Sequence, residues 1–243
     1  MKIIASDFDG TLNYNGKVSC EDKEAIHRFR LAGNRFGLVT GRDVECAQWI
    51  KPTDGLELDF VICCTGAVIK DGDGKIIYMK KGKVDGFFDT IIEKAKSLGA
   101  EFFTVGDVMF KCYVDTSGAI PADISRIDEF THANCCFKRD EEAIAFVDYV
   151  NQNFSDYISA HRNGRFVDMP PAHTSKVSGI YEYAKMVGEA EIYTVGDNAN
   201  DILMLKEFNS YAVSNAGDEV KAAAKKSCDR VCNMIEELMK ESE

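Results

Sequence analysis

Three observations predict the fold: strand-like apolar runs alternate with helical stretches at both ends of the chain, the middle is strand-rich, and chemically capable residues gather where strands end. Together they predict an α/β protein, a Rossmann-like doubly wound parallel sheet interrupted by an α+β insert. The core is expected over 1–80 and 166–243 and the insert over 81–165. With 243 residues, 45% hydrophobic and 28% charged, the chain has the length and composition for that two-part layout.

Residues 2–6 form the first apolar strand. Asn15-Gly16, a strong hairpin dipeptide, predicts a small flap over 12–18. Ser19 and Asp22 form a capping box for a helix over 20–32, and Gly33 supplies its stop. "RFGLVT" and "DFVICC" are buried strands, with a short helix expected over 43–50 between them. Strands separated by helical crossovers lie parallel. From the polar turn "KDGDGK" the pattern changes to runs of strands, at 76–81, 101–105, 108–114 and 133–138, with helices at 85–98 and 140–152. After Pro170-Pro171 the alternation returns: helix 175–187, strand 191–195, helix 199–207, strand 210–213, helix 217–226 and an amphipathic helix over 232–241.

Lys and Arg number 29 against 40 Asp and Glu, a net charge of -11 that argues against a nucleic-acid backbone or an anionic membrane as partner. A small anionic substrate remains compatible, because a site can be locally positive. The nine cysteines are odd in number and several lie in apolar runs, as expected of buried thiols in a reducing compartment. No apolar run reaches the length of a membrane span, and Asp7 stops the first too early for a signal peptide. A cytoplasmic protein, monomeric or a small homo-oligomer, is expected.

Ligands of doubly wound sheets bind beyond the carboxyl ends of the strands. Four segments there carry chemistry: Asp7-Phe8-Asp9-Gly10-Thr11, Thr40-Gly41-Arg42, the group Asp197, Asn200 and Asp201, and Lys176 at a helix start. Transfer of a phosphoryl group to a carboxylate brings two anions together and requires a divalent cation with hard oxygen ligands. Asp7 and Asp197 offer such oxygens from two strand ends, with Asp201 close by. Thr40 and Gly41 offer a hydroxyl and N–H groups to phosphoryl oxygens. Lys176 lies in a first helical turn, where the macrodipole disfavours a cation by up to ~1 kcal/mol, so an anion there explains it better. Asp9, two residues past Asp7, faces the other side of the transferring group as a proton donor and acceptor.

Taken singly, these residues have plainer explanations. Asp-Gly pairs mark turns, and "DGDGK" is an exposed one. A calcium loop is set aside because Thr11 and Val18 stand where ligands belong. His132, Cys135 and Cys136 lack a second ligand pair and read as strand residues. Cys63-Cys64 reads as buried strand, Phe102-Phe103 as core of the insert, Arg162 and Arg165 as a solvated hairpin, and His173, near Lys176 in sequence, as a surface loop or a substrate contact.

In order along the chain, Asp7-Phe8-Asp9-Gly10-Thr11-Leu12, Thr40-Gly41-Arg42, Lys176 and Gly196-Asp197-Asn198-Ala199-Asn200-Asp201 resemble the four motifs of the haloacid dehalogenase superfamily of phosphotransferases. The insert is similar in position to a C2-type cap, and the last motif with Thr40-Gly41-Arg42 resembles the Cof-like subfamily of sugar-phosphate phosphatases. The resemblance covers 1–70 and 166–243. It implies Asp7 as nucleophile and Asp9 as acid/base. It further implies Mg2+ held by Asp7, the Asp9 carbonyl and Asp197, with Asp201 supporting the metal. Thr40, Gly41, Lys176 and Asn200 would bind phosphate, and Arg42 the substrate or the loop. The chain departs at Thr65, where Asn is usual, at Val177, where Gly is usual, and in an insert short at about 85 residues. The implied activity is Mg2+-dependent hydrolysis of a small phosphorylated metabolite, a sugar phosphate, through an aspartyl-phosphate. A phosphosugar mutase and a phospho-acceptor signalling domain are the alternatives.

Overall fold

The computed structural model describes residues 1–45, 55–109, 111–114, 124 and 127–241. Its first part contains β1 (Lys2–Ser6), α1 (Cys20–Leu31), β2 (Arg35–Val39), β3 (Phe60–Cys63), β4 (Val68–Asp71) and β5 (Ile76–Met79). The middle contains β6 (Gly82–Lys83), α2 (Phe87–Ser97), β7 (Phe102–Gly106), β8 (Lys111–Val114), β9 (Glu129–Phe130), β10 (His132–Cys136), α3 (Asp140–Asn153), β11 (His161–Asn163) and β12 (Phe166–Met169). The chain then continues through α4 (Lys176–Val187), β13 (Glu191–Gly196), α5 (Ile202–Glu207), β14 (Asn209–Val213), α6 (Asp218–Ala223), β15 (Lys226–Cys228) and α7 (Val231–Lys240).

Eight strands form the large sheet in the order β15-β14-β13-β1-β2-β3-β4-β5. Every pairing from β15 to β3 is parallel, and the hairpin β4–β5 adds an antiparallel edge. The alternation of β1 explains its central place, since its two faces meet different helical layers. Ile4 belongs to the core shared with Phe29 of α1 and Ile235 of α7, whereas Ile3 and Ala5 pack with Ile180 and Tyr183 of α4. Ser19 caps α1 as expected: its Oγ accepts from the Asp22 N–H at 3.0 Å. Asp22 in turn accepts from the Cys232 N–H at 2.9 Å and Arg230 at 2.8 Å, which ties α1 to α7.

Chain order reverses between β1 and β13. From β1 the chain builds outward through β2 and β3, and it later returns to the opposite flank of β1 as β13. Ser6 pairs with Val195, and the Asp7 N–H donates to the Val195 carbonyl at 2.9 Å. Asp7 and Asp197 therefore leave adjacent strand ends at the switch point, where a doubly wound sheet holds its ligand.

The insert is an antiparallel sheet ordered β11-β12-β10-β7-β8, with the short pair β6–β9 beside it. α2 and α3 cover one face, burying Phe88, Ile91, Phe103, Phe137 and Phe146. The expected insert boundary at 165 falls inside the β11–β12 hairpin: β12 completes the ladders of both β11 and β10, and the chain leaves this sheet at Pro170-Pro171. The helix expected over 217–226 stops at Ala223, because Ala224 turns to extended backbone and the next residues pair with β14 as β15. The helix expected over 43–50 lies largely outside the described residues. No described helix is long and apolar enough to cross a membrane.

Candidate active site

The loop after β1 turns sharply: the N–H groups of Leu12 and Asn13 both donate to the Phe8 carbonyl, at 3.1 and 2.8 Å. Gly10 makes the turn possible with φ +88°, and a Cβ there would overlap the Asp197 carboxylate. Thr11 Oγ1 donates to Asp197 Oδ1 at 2.6 Å, so the loop fixes a carboxylate supplied by the far end of the sequence. Asp201 sits fully buried below it, its Oδ2 accepting from the N–H groups of Asp197 and Asn198 at 3.1 Å each.

Lys176 is the first residue of α4, which Ser175 caps. It is only 2% exposed, and its Nζ donates to Asp7 Oδ1 and Asp201 Oδ1, both at 2.6 Å. The anion expected beside this first-turn lysine is thus present as two carboxylates. Carboxylate oxygens of Asp7, Asp197 and Asp201 lie within 4.8 Å of one another. Burial, and then the charge of Asp201, push the Asp7 carboxyl up to about 8 against the pull of Lys176. Burial also raises the Asp197 carboxyl. Burial alone would lower the ammonium of Lys176, but Asp201 and Asp7 outweigh it and raise it. With all three carboxylates ionised, the one ammonium would leave two negative charges in excess. This all-oxygen, doubly negative set fits a hard divalent cation such as Mg2+, which would return Asp7 to its ionised form. Asp201, expected only to support the metal, brings an oxygen into the same cluster.

The Asp9 carboxylate turns away from the cluster. Arg42 grips it in a fork, Nε to Oδ2 and Nη2 to Oδ1, both at 2.7 Å. Asp7, bound by Lys176, and Asp9, bound by Arg42, line the same cleft with different cationic partners. Thr40 and Gly41 follow β2, and the Thr40 Oγ1 accepts from the Arg42 N–H at 3.1 Å. The Oδ1 of Asn200 is buried with no hydrogen-bond partner among the described residues. Thr65 adopts φ +53°, a conformation that Asn tolerates better than a β-branched residue, and its Oγ1 is likewise unpartnered among them.

All the residues expected at the site meet in this region. Asp7, Asp9, Thr40, Gly41, Arg42 and Asn200 line one cleft of about 580 Å³, and Lys176 and Asp197 stand behind Asp7 and Thr11. The insert closes the cleft from above. Asn198 donates to Asn163 of β11 at 2.8 Å, and Lys111 of β8 pairs with the buried Asp43. Asp168 of β12 comes so close to Gly41 that any Cβ there would overlap its carboxylate. Asp168 had a signal that went unused: a carboxylate inside the otherwise apolar strand Phe166–Met169. Phe103 packs in the insert core as expected, but Phe102 lines the cleft. Cys135 is buried in the insert core, and His132 is buried beside Cys64.

Burial raises the Asp168 carboxyl to about 7, with Lys176 opposing and Asp43 reinforcing. A folded-state value above the unfolded one makes a stability contribution that is complete below the unfolded value near 4 and is lost as pH rises through about 7. Asp168→Asn is therefore expected to gain thermal stability relative to the parent between pH 5 and pH 8. Melting curves across that range check this, and a constant difference would refute it.

The fold, with its switch-point carboxylates and inserted sheet, defines a class that comparison identifies: the chain matches the haloacid dehalogenase-like hydrolase model over residues 4–233 and belongs to that family. It is an enzyme of the haloacid dehalogenase type, as the four motifs led one to expect. Among its relatives, YxeH of Bacillus subtilis (strain 168) is 24% identical over 249 residues, covering 92% of this chain and 91% of that protein. The 5-amino-6-(5-phospho-D-ribitylamino)uracil phosphatase YbjI of Escherichia coli (strain K12) is 24% identical over 244 residues, covering 93% and 89%. A solved haloacid dehalogenase-like hydrolase from B. subtilis superposes with a TM-score of 0.82 at 20% identity, covering 98% of this chain and all of that one (100%).

Proposed function

We propose that the protein is a Mg2+-dependent phosphomonoester hydrolase that works through an aspartyl-phosphate on Asp7, with a phosphorylated sugar or polyol as substrate. The observation that carries this reading is the meeting of Asp7, Asp197, Asp201 and Lys176 beside Thr40, Gly41 and Asn200. Asp7, the Asp9 carbonyl and Asp197, with Asp201 beside them, would hold Mg2+, which would neutralise the phosphoryl oxygens and keep Asp7 ionised. The Thr40 hydroxyl, the Gly41 N–H, Lys176 and Asn200 hold the phosphoryl oxygens. An Asp7 oxygen attacks phosphorus in line with the leaving oxygen, to which Asp9, entering the step as the carboxylic acid, gives its proton as that bond breaks. Asp9 then removes a proton from water, the water oxygen bonds to phosphorus, and the Asp7–phosphorus bond breaks to free inorganic phosphate. Arg42 holds Asp9 between the two transfers, when it is the carboxylate. Above the phosphoryl seat, Thr104, Asn134 and Asp168 line the cleft with groups suited to hydroxyls, which supports a sugar or polyol. The acidic chain and small-molecule site suit a cytoplasmic enzyme.

Phosphate release from p-nitrophenyl phosphate and from a panel of sugar phosphates is expected with Mg2+, to be lost on chelation with EDTA and to return when Mg2+ is restored. Turnover that survives exhaustive chelation would exclude the metal role.

A further inference from the structure

The strand register of the insert sorts its open face into rows. Phe166 and Phe102 both pair with Cys136, one from each side, and their rings lie 6.3 Å apart. One step closer to the large sheet, Asp168 and Thr104 flank Asn134 in the same way, with Tyr113 beyond Thr104. Residues two apart on a strand share a face, so the aromatic row and the polar row look into the same cleft. The alternate residues Phe103, Cys135 and Val167 point the other way, into the core under α2 and α3. Phe166 is nevertheless 46% exposed and Tyr113 71% exposed. Rings left in water along an otherwise well-packed sheet mark a surface built for an apolar contact.

The order of the rows has a chemical meaning. A hydroxylated stretch next to the phosphate meets Thr104, Asn134 and Asp168, which can pair with it. Hydroxyls pressed against Phe102 and Phe166 would lose water and find no partner. Resting on the hydrolase reading above, we infer that the substrate is a phosphorylated sugar or polyol whose far end carries a planar ring, seated on Phe102 and Phe166. Continuity with the catalytic cleft fixes the occupant as the substrate's own leaving group, and the cleft's size suits a molecule larger than a simple sugar phosphate.

Two matched pairs of esters test this, each differing only by the ring: riboflavin 5'-phosphate against ribitol 5-phosphate, and adenosine 5'-monophosphate against ribose 5-phosphate. With Mg2+, kcat/KM is expected to favour the ring-bearing member of at least one pair about tenfold or more, mainly through KM. The double variant Phe102→Ala with Phe166→Ala should bring that ratio close to one, and Phe166→Trp should preserve it. The exposure of Phe166 makes its single Ala variant a folding control, expected to lower the ratio on its own. Equal rates within both pairs in the parent protein, or a preference that survives the double variant, would overturn the inference. Absence of release from every ester, p-nitrophenyl phosphate included, would instead overturn the hydrolase reading beneath it.

Discussion

Asp7→Asn is expected to lower phosphate release at least about ten-thousandfold while the protein stays folded. The amide keeps the shape of the carboxylate but has no electron pair basic enough to attack phosphorus. It also removes the burial cost and the repulsion from Asp201 that raise the Asp7 carboxyl. The change takes one carboxylate from Lys176, which keeps Asp201, so the metal-free melting temperature should stay close to that of the parent. Asp9→Asn should cost less, on the order of a hundred- to ten-thousandfold, because proton transfer assists two steps without forming the covalent bond. Steady-state release together with melting curves separates lost chemistry from lost structure. Full turnover by the Asp7→Asn protein would end the nucleophile assignment.

The second large effect concerns Lys176, whose ammonium bonds two buried carboxylates at once. Lys176→Met keeps the length of the side chain and removes its charge, leaving Asp7 and Asp201 without a counterion. Breaking a buried ion pair from one side costs about 3–5 kcal/mol, which for a chain of this size lowers the melting temperature on the order of 10 °C. Mg2+ at millimolar concentration should recover more stability in this variant than in the parent, since it offsets the same charges. Turnover should collapse as well. An unchanged melting temperature without metal would show that the lysine does not carry the charge balance of the cluster.

Much of this site was legible because parallel sheets place chemistry predictably. Asp7 and Asp197 follow apolar runs, and a doubly wound order brings two such ends together at the reversal. Ser19, Asp22 and Gly33 predicted the limits of α1 because caps are local, and the turn at Asn15-Gly16 adopts the expected positive φ at both residues. Local rules failed where the answer depends on tertiary packing. In the run Phe102-Phe103-Thr104-Val105 both faces carry apolar residues, and only the placement of α2 and α3 decides which face is covered. Asp168 escaped notice for the same reason. β15 escaped because an edge strand is defined by its neighbour, and the residues following α6 have helical character until β14 offers a ladder.

The adjacency of β1 and β13 also governs when the protein acquires its activity. β1 ends at Ser6, yet the partner that completes its ladder and leads to Asp197 and Asp201 begins only at Glu191. Contacts of such sequence separation form slowly, after the loop entropy of everything between has been lost. Until β13 docks on β1, Asp7 stands without the carboxylates of Asp197 and Asp201 beside it, and the cluster is incomplete.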